Sequence, residues 1–295
     1  MTITLDKSHQ EDHLNLAMRL QELDVTTLHI GSTAVTSTAA ELNALDGLTA
    51  SFTELNSVDR SRFVVFDDFF TATFDETNNW ISFEGSGATA AAHVDNPEGK
   101  LSMTSGAVGD VNDGVVVSSR VLANGALVSD GLIVFETRVA MDVITGCNFN
   151  AGLADKICTA AELPLYRINS GTVADGGLTL TNAILLGYDT DATAPTKWQF
   201  VNESTGTINV AAAESAHTTG PTADIYAVIR IEVDADGTGR WYLDGTLINT
   251  VATAVATTAV LVPYISINTA DDAQSASIAD VDYIYFSGAR PASDA

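Results

Sequence analysis

Two hydrophobic periods divide this chain. Up to about residue 61 apolar side chains recur at helical spacing, and from Phe63 onward they alternate with polar ones. In the first part, Ser8-His-Gln-Glu11 has the form of a capping box, its hydroxyl serving an orphan N–H while Glu11 reaches back. Leu14, Ala17, Met18 and Leu20 follow as a broad apolar stripe on a short helix. Thr26 to Ile30 is briefly β-prone and ends at Gly31. Two related units come next. Thr38-Ala-Ala-Glu41 and Ser51-Phe-Thr-Glu54 are both capping boxes that run into Leu-Asn, with Leu42 and Leu45 sharing one face in the first unit and Leu55 and Val58 in the second. Gly47 sits where a helix C-terminus favours positive φ. Each unit is one or two helical turns, too short to hold without packing on a neighbour. Residues 1–61 are therefore expected to anchor and assemble the protein, with Leu14, Leu20, Leu42, Leu45, Leu55 and Val58 at the interface.

The period of two then persists over residues 62–295. Leu132 to Met141 reads as a strand, and Tyr226 to Val233 alternates more cleanly, with Ile229, Ile231 and Val233 on one face and Arg230 and Glu232 on the other. Asp234 to Gly239 turns the chain into Arg240-Trp-Tyr-Leu243, and Asp244-Gly245 turns it again into Thr246 to Val251. Val260 to Ile267 and Ile278 to Phe286 supply the last strands, while Ala252 to Ala259 reads as loop plus strand. Short strands punctuated by Gly, Asp and Asn predict an antiparallel sandwich or barrel.

Charge narrows the partners. Asp+Glu 38 against Lys+Arg 13 leaves −25, in a chain only 17% charged but 46% hydrophobic. A nucleic-acid partner needs clustered cations and is not expected. No apolar stretch has the length of a membrane helix, so no membrane partner is expected either. The opening MTITLDKSHQEDHL has neither the basic nor the apolar region of an export signal, and Cys147 and Cys158 are accordingly expected to be reduced.

Ile30 to Ala50, "IGSTAVTSTAAELNALDGLTA", resembles a segment that recurs, often in tandem, in virion structural proteins of tailed bacteriophages. The resemblance implies a homotrimer. Phe66-Asp-Asp-Phe69 with Trp80, Gly99 to Met103, "RIEVDADGTGRWYLDGTLI" and "ADVDYIYF" are similar to a concanavalin-type (laminin-G-like) jelly-roll sandwich.

Chemistry-bearing patterns are sparse. Glycosidases of this sandwich type place paired carboxylates on one strand face, about 5–5.5 Å apart when retaining. Glu232-Val-Asp234 offers only i and i+2 before a turn, and reads as a solvated strand end. Asp234 and Asp236, like Asp189 and Asp191, are oxygen-rich turn residues and weak Ca²⁺ candidates, lacking the distal Glu of an EF-hand. His9 and His13 stand four apart on the first helix without a third ligand nearby. Trp241 and Tyr242 point to opposite faces of their strand, so one of them is available to stack on a glycan. No cofactor is expected.

These readings combine into a phage virion structural protein without enzymatic activity. A short, mostly helical amino-terminal assembly segment holds it as capsid decoration or cement on the major capsid protein or another virion protein. A mainly β, antiparallel jelly-roll sandwich stands on the virion surface, after assembly in the host cytoplasm. The alternative expectation is a head-fibre or tail-fibre module that recognises host surface glycans through the jelly roll.

Overall fold

The computed structural model describes residues 28–30, 33–35, 62–70, 74, 79–85, 88–94, 99–106, 114–120, 125–157, 167–169, 172–174, 180–192, 194–208, 216–269 and 276–289. The chain divides into two units, Met1–Asp59 and Arg60–Ala295. In the first, Leu28–Ile30 (β1) and Thr33–Val35 (β2) pair as a hairpin. Leu14, Leu20, Leu42, Leu45, Leu55 and Val58, and the helices expected around them, lie outside the described residues, as do His9 and His13.

The second unit is made of strands. Arg62–Asp67 (β3), Trp80–Glu84 (β4), Thr89–Val94 (β5), Lys100–Thr104 (β6) and Gly114–Ser119 (β7) come first. Ala126–Leu127 (β8), Ile133–Met141 (β9), Cys147–Ala154 (β10), Arg167–Asn169 (β11) and Thr172–Ala174 (β12) follow. Ala183–Asp189 (β13), Trp198–Ser204 (β14), Thr207–Ile208 (β15) and Ala227–Val233 (β16) continue the chain. Gly239–Leu243 (β17), Thr246–Val251 (β18), Val260–Thr269 (β19) and Ile278–Ala289 (β20) complete it. Two eight-stranded antiparallel sheets result. The first runs β15-β14-β13-β10-β19-β7-β4, with β8 also on β19; the second runs β18-β17-β16-β9-β20-β6-β5, with β3 also on β20.

Local chemistry accounts for the pairing. Asp244 and Gly245 have φ of 48° and 77°, the positive pair that a tight β17–β18 hairpin demands and that Asp-Gly supplies at little cost. Ala252 to Ala259 forms turns and no strand, correcting the reading of that run; Ala254 and Val255 tuck into the core instead. Ile229, Ile231 and Val233 face inward at 0% exposure, as their alternation requires.

Both sheets contribute to one core, in which Phe135, Ile231 and Trp241 of the second meet Phe149, Leu186 and Phe200 of the first. The Trp241 indole N–H donates across it to the Leu185 carbonyl at 2.8 Å, and its ring meets Phe200 at 5.9 Å. The Trp80 N–H reaches Asp67 at 2.8 Å and so ties β4 to β3. A bulge in β20 between Val281 and Tyr283 turns the Tyr283 carbonyl to the buried Thr137 hydroxyl at 2.8 Å.

The outer face of the second sheet carries charge. Arg230 bridges Glu136 at 3.3 Å and Glu232 at 2.6 Å, and Arg138 meets Asp282 at 2.7 Å. Lys100 pairs with Asp280, and Arg240 with Asp234. Tyr283 donates to Glu136 at 2.8 Å and Tyr242 to Glu232 at 3.0 Å. Among the described residues no helix is long and apolar enough to cross a membrane.

Candidate functional site

The first sheet differs from the second in having both faces covered. Along β10 the odd positions Cys147, Phe149, Ala151 and Leu153 join the shared core. The even positions alternate with them, yet none is charged: they are Asn148, Asn150, Gly152 and Ala154, and all are buried. Opposite the core lies a second apolar cluster, in which Val116, Ala183, Leu185, Val201 and Tyr264 pack together. Beside this cluster the same face turns polar.

Strand register arranges the polar residues in two neighbouring rows. Asp189, Asn148 and Asn268 stand side by side on β13, β10 and β19, with Gly114 next on β7. One step along, Gln199, Gly187, Asn150 and Ser266 form the second row. Asn150 donates to the Asn148 amide oxygen at 2.8 Å, and Asn148 in turn donates to Asp189 at 2.5 Å. The other Asp189 oxygen accepts from the Asp191 backbone N–H at 2.9 Å. These bonds orient the amides from within the sheet.

Three oxygens on this face are left over. Ser266 Oγ, Asn268 Oδ1 and Gln199 Oε1 have no protein partner, though their residues are 0%, 1% and 1% exposed. Gln199 is held by its other end, donating to the Ala194 carbonyl at 3.2 Å. A buried polar atom without a bond costs about 1–3 kcal/mol, and proteins carry few of them without a reason. All three lie on the same face. Glycine makes space there: a Cβ at Gly114 would lie 2.8 Å from Asn268 Oδ1, and one at Gly187 3.3 Å from Asn150 Oδ1. Amides and hydroxyls both accept and donate without charge, which suits a ligand rich in hydroxyl groups.

Cys147 lies just inside this face, its thiol free and buried. Burial above all, with the Asp189 and Asp142 carboxylates, pushes that thiol up to about 12, so it remains protonated and unreactive near neutrality. Tyr188, paired on β13 with Phe149, is also pushed up to about 12, mainly by burial, and donates to the Ile144 carbonyl at 2.6 Å.

The residues singled out in the sequence fall elsewhere. Trp241 is in the core at 0% exposure and offers no ring face to a sugar, which corrects its candidacy as a glycan-stacking residue. Tyr242 does face outward, on the charged side of the second sheet, with its hydroxyl held by Glu232. Asp234 is engaged by Arg240, and Asp236 caps its own turn through the Thr238 N–H, which holds its carboxyl below the usual range. Among the described residues no cluster of three or more His, Cys, Asp or Glu side chains is placed to hold a metal ion. Cys158 lies outside the described residues.

The amide rows escaped the sequence reading, although their signal is present. "CNFN" and "YISIN" alternate apolar residues with Asn and Ser in mid-strand, and Gln199 stands between Trp198 and Phe200 in the same way, where a solvated face carries Lys, Glu or Thr instead.

Two antiparallel sheets around a shared core make the second unit a β-sandwich. The Emp47p carbohydrate recognition domain is similar at a TM-score of 0.50 and 10% identity, over 76% of this chain and 94% of that one. A structure described with endo-acting O-glycanases, which prominent members of the human gut microbiota express to initiate mucin breakdown, is similar at 0.50 and 11% identity, over 75% and 97%. No family model matches the chain. No curated protein matches it. The second likeness corrects the expectation of a chain without enzymatic activity: glycan-cleaving enzymes are built on this sandwich, so the fold gives no ground for excluding catalysis.

Proposed function

We propose that this protein recognises glycans through the amide-lined outer face of its first sheet. The observation that carries the reading is the set of three buried, unpartnered oxygens, Ser266 Oγ, Asn268 Oδ1 and Gln199 Oε1, beside the oriented Asn150–Asn148–Asp189 chain. Saccharide hydroxyls supply the donors that these oxygens lack, and the side-chain amides supply donors in return. Ordering of groups before the ligand arrives lowers the entropic cost of binding.

On this reading the protein rides on the surface of a tailed-phage particle as a receptor-binding module. The tandem Glu-Leu-Asn units support that placement, with Leu42, Leu45, Leu55 and Val58 seating the amino-terminal segment among sister chains. A particle that displays several copies gains avidity from individually weak sites.

A glycan array probed with the full-length chain tests the binding claim. Specific binding is expected, and Asn268→Ala together with Gln199→Ala should abolish it while the circular dichroism spectrum stays unchanged. Binding that survives both substitutions, or an array without specific signal, overturns the reading.

A further inference from the structure

The charged face of the second sheet stands apart from the rest of the molecule. Its ion pairs join four cations to five carboxylates, and Arg62 lies beside them, donating to Ser287 at 3.1 Å. Five of the chain's 13 Lys and Arg are thus gathered on this face against the five carboxylates of its ion pairs, although the whole chain carries −25. Partly exposed ion pairs contribute about 0–1 kcal/mol each, so fold stability gives little reason for spending scarce cations here.

Apolar groups flank these ion pairs. One outer row crosses the whole sheet from β18 to β3 as Leu247, Tyr242, Arg230, Glu136, Tyr285 and Phe66. Its two ends are bare. Leu247 is 50% exposed at one edge; Phe66 is 57% exposed at the other, with Val64 beside it at 48%. The Phe66 ring leans on Tyr283 at 5.9 Å, which fixes it as part of a surface.

We propose that copies of this chain pack against one another through the outer face of the second sheet, the Val64–Phe66 edge of one copy meeting the Leu247 edge of the next. Three features favour a second copy as the occupant. Two bodies of −25 repel, and repulsion is weakest where the facing surfaces pair their carboxylates with cations. The apolar residues stand at opposite edges of one face, so each copy can offer one edge to the opposite edge of another, a heterologous contact that closes as a ring where the rotation between copies allows it and extends as a filament where it does not. β3 also begins at Arg62, directly after the segment bearing the tandem repeat, so association through that segment brings the β3 edges of sister chains within a short length of chain. The amide rows are on the other sheet.

Sedimentation of the full-length chain over a dilution series tests this, with Phe66→Asp and Leu247→Asp made separately. Both positions are exposed, so neither change threatens the core. Wild type is expected to self-associate, and each substitution to weaken association by about tenfold or more. Hydroxyl-radical footprinting should show oxidation of both Phe66 and Leu247 falling as the oligomer forms. Added salt should strengthen association, because it screens repulsion between copies while the ion pairs here lie within each chain. A monomer at every concentration, an oligomer that neither substitution weakens, or protection of one edge without the other overturns the proposal. Glycan binding by the two variants should be retained, so failure of this packing and failure of the glycan reading are separately visible.

Discussion

Serine 266 and serine 105 make a matched pair that tests whether the outer face really holds orphaned oxygens. Both are buried, at 0% and 2% exposure, and Ser→Ala removes one oxygen from each without adding volume. Ser105 Oγ accepts from the Ser277 N–H at 2.8 Å and shares a bond with Thr269 Oγ1, also at 2.8 Å. Its loss strands the Ser277 donor, and should cost about 1–3 kcal/mol. Ser266 Oγ has no protein partner, so its loss strands nothing and relieves the burial of an unbonded hydroxyl. Ser266→Ala should therefore stabilise by about 1 kcal/mol, at the lower end of the desolvation range. For a folded unit of this size that raises the melting temperature by about 2–4 °C, while Ser105→Ala lowers it by at least as much. Thermal and urea unfolding of the full-length chain provide the readings, and the glycan affinity of Ser266→Ala should fall as its stability rises. If both variants lose stability equally, Ser266 Oγ is already bonded in the ligand-free protein, and the reasoning that makes this face a ligand site fails.

Further expectations follow from the same geometry. Gly114→Ala would place a Cβ 2.7 Å from the Ile267 carbonyl oxygen and 2.8 Å from Asn268 Oδ1, so it should destabilise by about 1–3 kcal/mol and lower glycan affinity; equilibrium denaturation and titration calorimetry measure both. Trp241→Phe removes both the donor to the Leu185 carbonyl and part of a fully buried ring system, which should cost about 2–5 kcal/mol in urea unfolding. Cys147 and Tyr188 ordinarily ionise near 9.0 and 10.0 and are both pushed up to about 12 in the fold. Their contribution is fully present below about pH 9 and is lost as pH rises toward 12, so stability measured between those limits should fall, less steeply in Cys147→Ala. On the proposed placement on a phage particle, Leu42→Asp with Leu55→Asp should leave the circular dichroism of the sandwich unchanged but abolish incorporation into particles, read by the occupancy of purified virions.

Hairpins and half-buried strands were open to reading, because their cause is local. Asp244-Gly245 specifies its turn through positive φ, and Ile229, Ile231 and Val233 take one side of their strand by simple alternation. The first sheet was harder. In "CNFNAGLA" both faces are buried, and alternation of apolar residues with Asn or Gly does not tell a covered polar face from a solvated one. Assembly of the amide rows needs register among β14, β13, β10 and β19, which brings together residues more than a hundred positions apart in sequence, such as Asn148 and Asn268. Trp241 shows the opposite failure: alternation correctly divides it from Tyr242, but only the packed sheets decide which of the two is inside.

A structure of the full-length chain bound to a glycan selected from the array addresses the central claim most directly. Sugar hydroxyls within hydrogen-bonding distance of Asn268 Oδ1, Gln199 Oε1 and Ser266 Oγ are the predicted result. A sugar seated instead on Tyr242 and Tyr285, across the molecule on the second sheet, would contradict it.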